Sequence, residues 1–520
     1  MQPANLALVN GQVKTLDASR PHADAVLVRN GRIVRVGSNE EIQDSRTDEP
    51  EFDCAGRAVV PGFIDGHAHL EMTCCALVHC LSCTTPPFTS LQQIASEIRN
   101  RAEHTHPGEW VIARSSFGMQ NKVDERRLFS RRELDEISAV HPIIVYAGLH
   151  VTMLNTMALK ELGLWERAEY PPKGTVIHLD ENGEPAGVVT EIWDLMPEFS
   201  CDRVKSAVSQ KITELFLAHG VTSIHNLPYG AEDIRAIQEL QAEGVLPNRI
   251  RFYYHVPHHL SVDELVRTGL KSGFGNDDLR FGGTKLFVDG TGHDGFGNRL
   301  FDVKWEQDEL DEVVLQSHRA GLQLWMHTLS QPAIDMGLAA IERAVKTFPA
   351  PHRHRLEHSG DFADSPEQMD RMERSGVYAV ATPQFIYSQG DKHGDRFPRN
   401  FRYRTLIDRG FGVIGSSDTT GTVPDGIAPL FNMHCAVNRQ TLRGSHFVPE
   451  EAVSAEEALK MFTIWPAAGA FEDRDKGTIE VGKLGDFAVL SDDPLVVPGE
   501  HLANIQVEAT VIGGNVVYKR

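Results

Sequence analysis

One pattern recurs through the middle of the chain: an amphipathic helix that stops at glycine, followed at once by a short apolar strand. In VKSAVSQKITELFLAHG the apolar residues Val204, Val208, Ile212 and Leu215 fall at helical spacing, the run stops at Gly220, and VTSIHN follows. The same order appears in ELDEVVLQSHRAG before LQLWMH, in SPEQMDRMERSG before VYAVAT, and in TLIDRG before FGVIGSSD, with the helices ending at Gly321, Gly376 and Gly410. Glycine accepts the left-handed backbone that closes a helix. Ser365 and Pro366 suit the cap and first position of the third of these helices. A helix between successive apolar strands makes those strands parallel and puts the helices outside them. The strand candidates are FIDGH, VTSIHN, RIRFYYHV, GTKLFVDG, LQLWMH, RHRLEH, VYAVAT and GVIGSSD, the eight that close a (β/α)8 barrel. EWVIARSS and HPIIVYAG also read as strands; they fall in an insertion of roughly residues 85–200 after the first barrel strand, too long for an ordinary connection.

The two ends have another rhythm. LALVNGQVKTL and AVLVRNGRIVRVG are alternating segments interrupted by Asn10-Gly11 and Asn30-Gly31, the strongest short-range hairpin signal. GKLGDFAVLSDDP and VEATVIGGNVVYKR read the same way. Neither end has enough strands to stand alone, so residues 1–60 and 475–520 are expected to form one small sandwich-like β domain beside a barrel of residues 61–474.

Composition narrows the function classes. A net charge of −21 over 520 residues argues against nucleic-acid or anionic-membrane partners. No run approaches the ~18–20 apolar residues of a membrane span, and the first residues lack the basic and apolar regions of a signal peptide. Seven cysteines, an odd number, fit a reducing, cytoplasmic setting better than a disulfide framework. CCALVHCLSC gathers Cys74, Cys75, His79, Cys80 and Cys83, but one CxxC without a second is a weak metal signal, and the stretch reads as an apolar helix. A small-molecule substrate is expected; a homo-oligomer is left open.

PGFIDGHAHLEM places His67 and His69 two residues apart at a strand end, where side chains i and i+2 share a side. An isolated HxH is usually solvated. Here further chemistry-bearing residues recur at the same end of the barrel: Lys285 on the fourth strand, His327 ending the fifth, His358 the sixth and Asp418 the eighth. Barrel active sites lie at the C-terminal ends of the strands, and five independent coincidences there point to a metal centre.

With these residues the chain resembles the amidohydrolase superfamily, in particular the amidohydrolase-3 branch of metal-dependent hydrolases. The resemblance runs through VVPGFIDGHAHL, GLHVTMLNTMALKELGL, PPKGTVIHLDENGEPAGVVTE, GTKLFVDG, RLEHS and GSSD. It implies two divalent metals, zinc being expected, one held by His67, His69 and Asp418 and the other by His327 and His358. Lys285, carboxylated by CO2, would bridge them. Two dications about 3.5–4 Å apart need an anionic bridge; Asp289 lies four residues past Lys285, where the strand should have become loop. The implied reaction is hydrolysis of a non-peptide C–N bond in an amide or an N-acyl or N-formyl amine, with metal-activated water and Asp418 as general base and then acid.

There are departures from the branch. HTLSQPA carries Ser330 and Gln331 where the branch has Gly-Asp, TTGTVPDG follows Asp418, and TGHDGFGNR follows the lysine strand. These loops would line the pocket, so relatives do not fix the substrate. His150, His225, His293 and Asp294 are further substrate-binding candidates, each set against an ordinary solvated role. The alternatives are a mononuclear deaminase with a structural Lys285, a decarboxylase or isomerase on the same site, and an inactive assembly protein.

Overall fold

The structure is a computed structural model. It describes residues 4–520 except 117, 149, 172–173, 193–194, 196, 291–302, 394–399 and 420–423. Eight parallel strands form one sheet in chain order: β1 Phe63–Ala68, β2 Val221–Asn226, β3 Arg249–His255, β4 Leu279–Phe287, β5 Gln323–His327, β6 Arg355–Glu357, β7 Tyr378–Ala381 and β8 Val413–Gly415. These are the eight segments read from the sequence. Helices precede β2, β5, β7 and β8, and Gly220, Gly321, Gly376 and Gly410 all adopt positive φ, as the stop signals require. Ser365 caps its helix by accepting from the Gln368 N–H, with Pro366 first.

Side-chain alternation sorts each strand into two environments. Leu286, Leu324, Met326 and Leu356 join the large apolar core with the helices. Their neighbours Phe287 and Trp325 cluster with Leu227 and Tyr253. Register places Lys285 opposite both His255 and Trp325, and His327 opposite both Phe287 and Glu357. The barrel is nearly closed, and β8 meets β1 through side-chain and loop bonds. Asp65 accepts from the Ser417 N–H at 3.0 Å and from the Ser417 hydroxyl, while the Asp418 N–H donates to the His67 carbonyl at 2.9 Å.

Strands from both ends of the chain share one six-stranded sheet, in the order Asn515–Lys519, Val507–Ile512, Phe487–Leu490, Ala58–Pro61, Gln12–Lys14, His22–Ala23. A four-stranded sheet of Arg32–Gly37, Ala25–Arg29, Leu6–Val9 and Glu51–Asp53 lies against it over Leu8, Val26, Val59 and Phe487. Asn30-Gly31 makes the expected hairpin, both residues at positive φ between paired Arg29 and Arg32. Asn10-Gly11 does not. Leu6–Val9 and Gln12–Lys14 lie in different sheets, and only Asn10 has positive φ. Here the dipeptide carries the chain from one layer to the other, because each flanking strand finds better partners elsewhere.

EWVIARSS and HPIIVYAG belong to a fourth sheet, in the order Val176–Leu179, Pro185–Thr190, Val151–Leu154, Ile143–Ala147, Val111–Ser115, Leu81–Ser82. Alternate residues of Ile143–Ala147 feed two cores, Ile143 and Val145 on one face and Ile144 and Tyr146 on the other. That explains an apolar run without polar alternation. The sheet begins at Leu81, slightly before the expected insertion. Cys74 and Cys75 lie within helix Leu70–His79; they, Cys80 and Cys83 are buried, and all seven thiols are free. Burial pushes the Cys83 thiol up to about 12, which suits packing rather than chemistry. Among the described residues no helix is long and apolar enough to cross a membrane.

Candidate metal centre

β1 delivers His67 and His69 to the C-terminal rim of the barrel, with His69 standing as the cap residue of the following helix. Gly66 between Asp65 and His67 is required by space: a Cβ there would collide with the Ile414 side chain and the Gly415 carbonyl across the seam. That close approach brings Asp418 alongside the histidines. Its Oδ1 lies 3.4 Å from His69 Nε2 and 3.9 Å from His67 Nε2. Asp418 and His358 both have left-handed backbone, φ 47° and 65°. A non-glycine residue holds such a conformation only where the surroundings over-determine it.

Among the described residues, His67, His69 and Asp418 are the set of His, Cys, Asp and Glu side chains whose ligand atoms lie within 4.8 Å of one another. Their protonation suits a cation. Burial, reinforced by Lys285, holds His67 neutral well below its ordinary range; burial also lowers His69. Burial raises Asp418, but the hydrogen bond from His69 and the facing imidazoles outweigh it, so the carboxylate stays ionised. The result is neutral imidazoles beside an anionic oxygen, the form in which these groups bind metals.

A second group of orphaned polar atoms faces the same rim. Lys285 Nζ, His327 Nε2, His358 Nδ1 and His69 Nδ1 are buried without a hydrogen-bond partner. The rings of His327 and His358 are 4.8 Å apart, and those of His67 and His358 5.4 Å. Burial lowers Lys285 to about 8 and His358 to about 4. The Lys285 ammonium lies 4.8 Å from the Phe287 ring and 5.2 Å from that of Trp325. Buried polar groups are rarely left unpaired, and this donor set fits bound metal. Asp289 is engaged elsewhere: it accepts from the Leu329 and Ser330 N–H groups, the latter at 2.8 Å. Ser330, one of the departures, caps the helix after β5 by accepting from the Ala333 N–H.

His150 comes from the inserted sheet region, and its ring sits 5.3 Å from that of His327. Its Nδ1 pairs with Glu191 at 2.9 Å, and Glu191 also meets Lys304 at 3.1 Å. His225 is not gathered with the rim histidines. Its Nδ1 accepts from Arg355 at 3.0 Å, and its Nε2 lies 4.0 Å from Glu472. His293 and Asp294 lie outside the described residues. Sequence reasoning missed His255, which ends β3 as the other histidines end their strands, and whose buried Nε2 has no hydrogen-bond partner. Its position at the end of RIRFYYHV was the available signal. It also missed Glu357, whose Oε2 meets His67 Nδ1 at 2.8 Å across 290 residues.

Residues 51–518 match the sequence profile of the amidohydrolase family. The chain belongs to that family. Among curated relatives of this amidohydrolase, an N-substituted formamide deformylase from Arthrobacter pascens is 29% identical, covering 100% of this chain and 99% of its own. A putative amidohydrolase, YtcJ, from Bacillus subtilis (strain 168) is 26% identical, covering 98% of each. Among solved structures, an uncharacterized metal-dependent hydrolase from Pyrococcus horikoshii OT3 superposes with a TM-score of 0.72 at 22% identity, over 96% of this chain and 99% of the other. That likeness establishes the shared barrel fold.

Proposed function

We propose that this amidohydrolase hydrolyses a C–N bond of a small N-acyl or N-formyl amine at a two-metal site. The carrying observation is the convergence of neutral His67 and His69 with ionised Asp418 beside three orphaned donors, Lys285, His327 and His358. The full-length likeness to an N-substituted formamide deformylase supports the substrate class.

In this reading His67, His69 and Asp418 would hold one divalent ion and His327 and His358 a second, with Lys285, carboxylated on its amine, supplying an anionic ligand. Burial supports that modification: with its pKa lowered to about 8, Lys285 is partly free amine near neutral pH, the nucleophilic form that adds to CO2. When bound, the metals supply Lewis acidity toward the substrate carbonyl and lower the pKa of water. Asp418 then receives the proton from the attacking water. Its side chain is 18% exposed at the rim and ionised, so it can pass that proton to the departing nitrogen. His150, anchored by Glu191, faces the substrate, and the inserted sheet acts as a lid that keeps bulk water from the rim.

The test combines metal analysis with a substrate panel. Two metals per chain and turnover of N-substituted formamides or N-acyl amines, lost on chelation and restored by zinc, are expected. One metal per chain with release of ammonia from an amino-substituted ring would replace this reading with the mononuclear deaminase. An orphaned, buried Lys285 fits that alternative poorly, since a structural lysine would be paired.

A further inference from the structure

The barrel lumen contains a column of buried polar groups that starts at His67 and runs away from the rim. His67 Nδ1 meets Glu357 Oε2 at 2.8 Å. The two carboxylate oxygens of Glu357 are gripped by one guanidinium, Arg355 Nε donating to Oε1 at 2.9 Å and Nη2 to Oε2 at 3.0 Å. The same Nη2 donates to the Gly66 carbonyl at 2.6 Å, tying the column to the backbone directly before His67. Arg355 Nη1 donates to His225 Nδ1 at 3.0 Å. His225 Nε2 then faces Glu472, whose other oxygen pairs with Arg251 at 2.8 Å. Glu357, Arg355 and His225 are each at most 1% exposed. A TIM-barrel interior is ordinarily filled with branched apolar side chains, so a charged column needs a reason.

Both Glu357 oxygens already accept from the Arg355 fork, so the carboxyl group meets His67 as an acceptor. A carboxylate facing His67 Nδ1 therefore places the ring proton there and leaves Nε2 bare, and Nε2 is the nitrogen that lies toward Asp418. Such carboxylate partners fix the tautomer and ring orientation of ligand histidines. We propose that Glu357 is a positioning residue that fixes His67 with Nε2 free for metal, and that the Arg355 fork, backed by His225, holds the Glu357 carboxyl group in place for that task. Arg355 thus links the far half of the lumen to the rim. The proposal rests on the metal reading above for its functional meaning, but the tautomer it predicts exists without metal.

Glu357→Gln is the critical variant, since the amide keeps shape while offering an N–H₂ group where the carboxylate accepted. Two readouts are needed. The first is competition with a chromophoric chelator, in which Glu357→Gln should bind zinc or cobalt about 10–100-fold more weakly than wild type, with an altered visible spectrum of the cobalt form. The second is ¹⁵N NMR of histidine-labelled, metal-free wild type, in which the resonance assigned through His67→Asn should be the Nδ1–H tautomer. Arg355→Lys, which loses the fork but keeps a cation, should weaken metal binding less than Glu357→Gln and covers the case in which the latter fails to fold. Equal metal affinity and an unchanged cobalt spectrum in both variants, or an Nε2–H tautomer in wild type, would overturn the proposal. If wild type binds no metal yet shows Nδ1–H, the metal reading fails while the positioning of His67 stands.

Discussion

Lys285 offers a perturbation whose sign separates a functional lysine from a structural one. It is fully buried, has no hydrogen-bond partner, and burial lowers its pKa from 10.5 to about 8. A fall of that size corresponds to about 3 kcal/mol of destabilisation while the amine is protonated. Its contacts with the Phe287 and Trp325 rings return about 1 kcal/mol. Lys285→Met keeps the length and packing of the side chain and removes the charge. In metal-free protein it should therefore stabilise the fold by about 2 kcal/mol, read as a higher urea midpoint and a Tm raised by a few degrees. The pH dependence follows from the lowered folded pKa. Between about pH 8 and 10.5 the unfolded chain holds the proton that the folded chain has released, so wild-type stability rises with pH. The advantage of methionine is thus full below about pH 8 and fades toward pH 10.5. With metals added, the two-metal proposal expects the order to reverse: the variant should lose turnover and metal, while wild type gains stability from the ligand binding. A Lys285→Met protein less stable than wild type at pH 7, or one that keeps full activity and both metals, would refute this account.

Asp418→Asn should lower kcat by about 10²–10⁴ with the native circular dichroism spectrum kept, and near-normal turnover would remove it from proton transfer. His150→Ala should change KM or the order of preferred substrates more than Tm, because its ring lies beside His327 at the rim; identical kinetics across several amides would place it outside the pocket. Glu71 is buried, and that burial, with the charge of Asp233, raises it to about 8. The folded state therefore keeps a proton that the unfolded chain loses from about pH 4.5 upward, and the contribution of Glu71 to stability declines from there to about pH 8. Glu71→Gln should flatten that decline in Tm measured from pH 5 to 8.5, and an unchanged slope would contradict the assignment.

Much of the barrel is written locally. A glycine at positive φ ends each of the four helices that signalled the fold, and a helix that returns the chain to the same sheet edge leaves parallel pairing as the next step. Local spacing also exposed His67 and His69, because period 2 puts both on one side of a strand whatever surrounds it. Other features depended on competition between distant segments. Asn10-Gly11 and Asn30-Gly31 are identical dipeptides, yet one turns a hairpin and the other crosses between sheets, since strand partners rather than turn chemistry chose the path. His225 and His255 lie at or next to strand ends, but only the lumen decides that one ring accepts from Arg355 and faces Glu472 while the other packs beside Phe287. Glu357 stood within the RLEHS motif without any local sign that it would meet His67. Register across eight strands and closure of the barrel bring that pair together, and burial then gives their charges and tautomer consequence, because an electrostatic contact strengthens when water is excluded. The order and type of elements follow from chain-local preferences; the pairing and protonation of the centre follow from which side chains the closed barrel encloses together.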